Sequence, residues 1–247
     1  MGAGYGQIVS TLREEIVSGV YSSAVPAGPE LAARFGVSES TINRALSQLR
    51  SEGLVRTQQG RGTVVNPVPV IRRDAVARQR AGTRESDGSR GAFDAELRAA
   101  GLEPRTETET GHAVPPAAVA GLLGIPEDTE AVYRKRRMYA SVEPVQLATS
   151  WIPADIADGT PIARPDTGPG GTYSRLAELG HTPTQFTEEV GVKVPDDEEA
   201  SALGIDPDHR VYAITRTAAD AAGRVVQVNM IVMPTHQWTL RYTWLAE

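Results

Sequence analysis

The sequence predicts a mixed α+β chain of two domains, and three observations carry that expectation. Residues 30–65 pass from a helical apolar period to short extended runs. Residues 67–91 lose all sustained apolar periodicity and fill with Pro, Gly, Ser and Arg. Residues 92–247 contain an internal repeat in which matched residues keep their order. The 247-residue length also suits two domains better than one.

In chain order, Tyr5 to Gly19 place Ile8, Leu12 and Ile16 on one face with Val9 beside them, the pattern of an amphipathic first helix. Leu31, Ala32 and Phe35 form a second apolar turn. Gly36-Val37-Ser38 follows, and then Ile42, Ala45, Leu46 and Leu49 return at helical spacing. Gly36 suits the positive φ of a sharp turn, and Ser38 suits capping of a helix that starts near Glu39. After Gly53, Leu54-Val55-Arg56 and Thr63-Val64-Val65 flank Gln58-Gln59-Gly60-Arg61-Gly62, a β-hairpin with a basic, glycine-rich tip. Helix, turn, helix and hairpin make a winged helix, whose second helix would lie in a DNA major groove. The competing reading, a small helical domain with an incidental hairpin, is weaker because the separate signals agree.

The exposed side of that second helix offers Glu39, Ser40, Asn43, Arg44 and Ser47, with Thr41 near its edge. Arginine suits guanine O6/N7, asparagine suits adenine N6/N7, and glutamate accepts from cytosine N4. Glu39 fits equally a cytosine reader and a charge that complements the helix N-terminus. Arg34, Arg44 and Arg61 are the cationic candidates, although each also fits a solvated surface arginine. Ser38 and Gly62 complete the expected DNA-binding set.

Residues 67–91 read as a linker with a short strand, Val68 to Ile71, at its start. Its arginines suit either DNA phosphates or an acidic protein surface.

Beyond it, Leu123-Gly124-Ile125, Val132-Tyr133, Arg137, Gln146 and Pro153 recur as Leu203-Gly204-Ile205, Val211-Tyr212, Arg216, Gln227 and Pro234. Each copy reads as a helix end followed by two extended runs, turning at Ala140 to Glu143 and at Ala219 to Gly223. Two such copies imply a pseudo-symmetric antiparallel sheet.

The charge is divided unevenly. The net charge is −6, yet residues 1–66 carry six Arg against five Glu and residues 67–92 carry six Arg against three acids. The remainder must then carry −10. A nearly neutral reading head implies few phosphate contacts and a need for two heads per operator. There are no cysteines, so disulfides and thiolate metal sites are excluded, and His112, His181, His209 and His236 lack close ligand spacing. No metal or other cofactor is expected. No apolar run approaches the ~18 residues of a membrane span, and no leader pattern opens the chain. A cytoplasmic protein, at the nucleoid when bound to DNA, is the expectation.

The string LAARFGVSESTINRALSQLRSEGLV with QGRGTVV resembles the winged-helix domain of the GntR family of bacterial transcription regulators, over roughly residues 5–66. The second half, with Gly91-Ala92-Phe93, Arg136, Ser150-Trp151, GPGGTYSRLAELGHTPTQFTEEV and GRVVQVN, resembles the UTRA effector-binding domain of the HutC branch. That domain has a chorismate-lyase-like α+β fold. The resemblance implies a ligand-responsive regulator, a repressor released from a palindromic double-stranded DNA operator by a small-molecule effector, acting as a homodimer with no membrane partner. It places the effector on the sheet, near Arg90, Gly91, Ala92, Phe93, Arg136, Ser150, Tyr173 and Gln227.

Departures from the family pattern carry further expectations. Pro29, Glu39 and Asn43 stand where the family commonly has arginine, which implies an unusual operator. Met138, Ala148 and Gly171 stand where sugar-phosphate binders have Arg, Glu and Ser, which implies a less anionic effector with more apolar surface. Two alternatives remain at this level: an architectural DNA-binding protein without an effector, and a chorismate-lyase-like enzyme. The enzyme lacks a nucleophile–base pair, a metal cluster or a phosphate loop in the sequence. His181 and Glu188 are close in sequence, but His181 follows Leu179-Gly180 and reads as a turn residue.

Overall fold

The computed structural model describes residues 3–58, 60–66, 70–80, 82 and 89–244. The chain divides into two compact units, Met1–Val70 with Thr235–Gln237, and Ile71–Pro234 with Trp238–Glu247.

In the first unit, α1 (Tyr5–Val17), α2 (Gly28–Phe35) and α3 (Glu39–Ser51) precede a hairpin of β1 (Val55–Gln58) and β2 (Gly62–Val65). Ile8, Val9, Leu12 and Ile16 of α1 pack against Leu31, Ile42, Leu46, Leu49 and Val55 in one core. Each such side chain contributes roughly 1.5–3 kcal/mol when fully buried. Gly36 ends α2 in the left-handed conformation, φ 66°, which a side chain would resist. Ser38 caps α3, its Oγ accepting from the Thr41 N–H at 3.4 Å. Arg13 binds Glu52 through two hydrogen bonds, 2.9 and 2.7 Å, and so ties α1 to the end of α3. The hairpin pairs Val55 with Val65 and Gln58 with Gly62. The expected winged helix is present with its helix boundaries close to those predicted.

The second unit begins inside the expected linker. Ile71–Asp74 forms β3, which pairs in parallel with β10 (Trp238–Arg241), and Ala77–Gln79 forms a single 3-10 turn. The expected strand at Val68 to Ile71 is therefore displaced. Of its residues, Val68 and Pro69 lie outside the described residues, Val70 precedes β3, and only Ile71 belongs to it. Polar composition misled here because β3 carries two arginines, one of which, Arg73, is fully buried.

The main sheet has the order β4-β5-β6-β9-β8-β7. Its first half contains α4 (Ala92–Ala99), β4 (Pro104–Ala113), α5 (Ala117–Leu123), β5 (Ala131–Ala140) and β6 (Glu143–Pro153). After α6 (Ala154–Ala157), the second half repeats the series with α7 (Gly171–Glu178), β7 (Pro183–Lys193), α8 (Asp197–Leu203), β8 (Val211–Asp220) and β9 (Val225–Pro234). The pseudo-twofold runs between β6 and β9, as the internal repeat implied.

One match in that repeat needs correction. β5 and β8 start at Ala131 and Val211, an offset of 80, which makes Arg136 the equivalent of Arg216. The sequence comparison had paired Arg137 with it. Side chains alternate along a strand, so a one-residue slip moves a residue to the other face. The register confirms the correction, because Arg134, Ser150, Asn229, Arg216 and Glu188 form one lateral row and Arg136, Ala148, Ile231 and Ile214 form the next row on the same face.

That face carries a core of Val132, Ile152, Ile156, Tyr173, Leu176 and Ala218, under α6 and α7. The other face packs Val119 and Leu123 of α5 on Ala131, Trp151 and Val228.

Candidate functional site

On the winged helix, Glu39, Ser40, Asn43, Arg44 and Ser47 are all exposed on α3 and Thr41 is half-buried. The cap knits the first turn together: Ser38 Oγ lies 2.8 Å from Ser40 Oγ and 3.0 Å from Thr41 Oγ1. Arg44 stacks over the Tyr5 ring at 4.6 Å, which presents its guanidinium from a restricted position. Arg61 and Gly62 are exposed at the hairpin tip. Neither Arg44 nor Arg61 has a carboxylate partner among the described residues.

Arg34 differs from them. It donates to Glu15 and to Tyr21 Oη at 2.8 Å, and its hydrogen bond to Glu15 holds that carboxyl below its ordinary range. Its charge is already offset within the head, so a phosphate would have to displace Glu15.

The second unit encloses a cavity of about 580 Å³ on the sheet face that carries Arg136. Two helix N-termini open onto it, Gly91-Ala92-Phe93 at α4 and Gly170 to Tyr173 at α7. These helices are equivalents in the pseudo-symmetric pair, and the positive ends of their dipoles favour negative charge. The two rims touch, because Gly170 N–H donates to the Ser89 carbonyl at 2.9 Å. A Cβ on Gly171 would meet the Arg90 carbonyl oxygen at 2.7 Å, with φ already at 71°. This close approach explains glycine where the family pattern has serine.

Arg136 rises from the sheet into this space. Its Nη2 donates to Ser150 Oγ at 2.6 Å and to Asn229 Oδ1 at 3.3 Å, and Ser150 Oγ donates to Asn229 Oδ1 at 3.0 Å. These partners are neutral, and Arg136 Nε has no hydrogen-bond partner among the described residues. Burial, reinforced by Arg134 and Arg216, pushes the guanidinium down to about 9. Arg134 donates to the carbonyls of Ile162 at 2.6 Å, Pro165 at 2.9 Å and Arg164. Burial pushes it down to about 10. Arg216 lies 3.6 Å from Glu188 and 5.7 Å from the centre of the Tyr173 ring. The Tyr173 ring in turn meets Phe186 edge-on at 5.4 Å.

Most of the expected effector set converges. Arg90, Gly91, Ala92, Phe93, Arg136, Tyr173 and Gln227 all border the cavity, while Ser150 stands behind Arg136 and fixes its position. Arg78, Arg134, Arg216 and Asn229 border it too, and sequence reasoning missed all four. For Arg216 a signal existed in the repeat, which pointed to Arg137 instead of Arg136.

The expectation of a less charged pocket is overturned. Among the described residues, seven arginines line the cavity, at positions 78, 90, 98, 105, 134, 136 and 216, against the two acids Asp94 and Asp166. Met138 and Gly171 are at the lining as anticipated. The cationic groups come from the linker, α4, β4, β5 and β8, and spacing along the chain did not show that they meet. Among the described residues, no histidine borders the cavity. His181 instead pairs its Nδ1 with Asp220 Oδ2 at 2.9 Å.

Comparisons with known proteins agree with this geometry. The family described as "Bacterial regulatory proteins, gntR family" matches residues 4–65, and the UTRA domain family matches residues 99–238. An HTH-type transcriptional regulator of Streptomyces coelicolor is 31% identical over 96% of this chain and 90% of its own length. A probable fructoselysine utilization operon transcriptional repressor of Escherichia coli is 30% identical over 60% of this chain and 57% of its own. The crystal structure of PhnF from Mycobacterium smegmatis shares the fold, with a TM-score of 0.62 at 21% identity, covering 97% of this chain and 100% of that one. The chain belongs to the gntR family of bacterial regulatory proteins: it is a DNA-binding transcription regulator, not an enzyme, and its second unit is a ligand-binding UTRA domain.

Proposed function

We propose that the protein is a homodimeric repressor that leaves a palindromic operator when an anionic small molecule enters the arginine-lined cavity. The observation that carries the effector class is Arg136, a buried cation held only by neutral groups among the described residues. A buried charge without a counter-charge is costly, and a phosphate or carboxylate supplies the missing partner in bidentate geometry. The converging N-termini of α4 and α7 favour the same charge.

On the DNA side, Ser38, Glu39, Ser40, Thr41, Asn43 and Arg44 present base-reading groups, and Arg61 with Gly62 forms the wing tip. Arg34 is the weakest of the expected contacts because Glu15 already holds it. A head with so little surplus charge needs a second head on the same site. The repressor named among the relatives supports the sign of regulation.

Selection from a random DNA pool, followed by gel shift, tests the reading. Selected sites should be palindromic, and phosphorylated or carboxylated metabolites should release them. A non-palindromic site, or release only by uncharged compounds, would sink the proposal.

A further inference from the structure

We infer that Arg78 is an effector contact carried on the segment that follows the DNA-binding head, so that an anion in the cavity acts on that segment directly. The inference rests on the cavity being the effector site and goes beyond it by naming the element through which occupancy is felt.

The segment has a defined seat in the second unit. β3 is hydrogen-bonded to β10, and Asp74 Oδ1 then accepts from the N–H groups of Val76 and Ala77 at 3.1 and 2.8 Å. This Asx turn starts the 3-10 turn Ala77–Gln79 and sends the Arg78 side chain inward, where it is 5% exposed and borders the cavity.

The two buried arginines of the segment are held very differently. Arg73 makes a bidentate pair with Glu188, Nη1 donating at 2.9 Å and Nη2 donating to the second oxygen. Arg78 has a single 3.3 Å approach of Nη2 to Glu96 Oε2. Its Nε and Nη1, and both Glu96 oxygens, have no hydrogen-bond partner among the described residues. One arginine is a fixed anchor, and the other has donors to give.

The charge balance points the same way. Arg73, Arg78, Arg216, Glu96 and Glu188 interact within one buried group, three cations against two anions. Arg136 adds another cation with no acid partner among the described residues. An anion entering the cavity offsets this surplus, and in a low-dielectric site it attracts the guanidinium with open donors most effectively. Arg78 has two positions available, on Glu96 or shared with the ligand. Because it sits one turn from β3, the exchange repositions the segment between Asp74 and Gln79. That supplies the differential contact which a ligand-driven population shift requires.

The test uses inorganic phosphate as the probe and the full-length chain. Isothermal titration compares the wild type, R136Q and the double variant R78Q/E96Q, which removes both charges of the pair and leaves no orphaned carboxylate. Hydrogen–deuterium exchange follows residues 71–79 with and without phosphate. We expect wild-type binding with altered exchange over 71–79, and binding weaker by about tenfold or more in each variant, as for loss of a charge-assisted hydrogen bond. If R136Q weakens binding and R78Q/E96Q does not, Arg78 is only a structural partner of Glu96 and the inference falls while the cavity reading stands. If neither variant matters, or the wild type binds no phosphate, the cavity reading falls and takes the inference with it. Binding that needs Arg78 without any change in exchange over 71–79 overturns the coupling.

Discussion

The two halves of the sheet carry equivalent arginines in opposite circumstances. In the second half, Arg216 faces Glu188, which also holds Arg73. In the first half, Arg136 faces Ser150 and Asn229 and no acid among the described residues. The same hairpin position is thus neutralised internally in one copy and left cationic in the other. Two copies of one unit can share a fold while dividing the work, with one copy securing the linker strand and the other, on the function proposed above, keeping a charge for a ligand.

Three measurements would break or sharpen this contrast. The largest effect is expected from Glu188→Gln, which strands two buried guanidinium groups. Loss of one partner from a buried pair costs about 3–5 kcal/mol, read as a lowered urea midpoint. An undiminished midpoint would mean that Glu188 does not neutralise the second half.

Arg136→Met should act with the opposite sign. Removing a buried cation that has no counter-charge among the described residues should stabilise the ligand-free protein, by roughly 1–3 kcal/mol if its burial is as unfavourable as that of other buried ions, and should abolish the response to anions. A destabilised variant in the same unfolding assay would show that the first half, too, is internally balanced.

The smallest effect is a pH dependence. Although burial alone would raise it, the Glu188 carboxyl is held below its ordinary range by Arg73 and then Arg216. A carboxyl whose folded pKa is depressed stabilises the fold above its unfolded pKa of about 4.3. That stability is lost as pH falls through the lower folded value. Unfolding followed between neutral pH and about pH 3 should show a shallower acid decline in Glu188→Gln than in the wild type. Arg136→Met should decline as steeply as the wild type, because no carboxyl among the described residues faces Arg136.

The regions differ also in how far the sequence revealed them. In the winged helix each signal is local. Gly36 ends a helix because of its own φ, Ser38 caps the helix that follows it, and Ile42, Leu46 and Leu49 share a face through helical spacing. The cavity is the reverse case. Phe93, Arg136, Tyr173 and Gln227 were legible through family resemblance, but Arg78, Arg134 and Arg216 were not, since their meeting depends on strand register and on where the linker packs. Arg137 was mistaken for the partner of Arg216 because a repeat read along the chain tolerates a one-residue slip that the pleat of a strand does not.

By itself the sequence determined the helix-turn-helix and the doubled α+β unit, which follow from short-range spacing and periodicity, while the regulator class was legible through resemblance to a known family. Only the tertiary structure decided the charge of the arginine-lined cavity and the placement of the linker residues Arg73 and Arg78. Buried electrostatics is set by which groups lie within a few ångströms after folding, and Arg73 with Glu188, or Arg78 with Glu96, are neighbours that no interval along the chain announces.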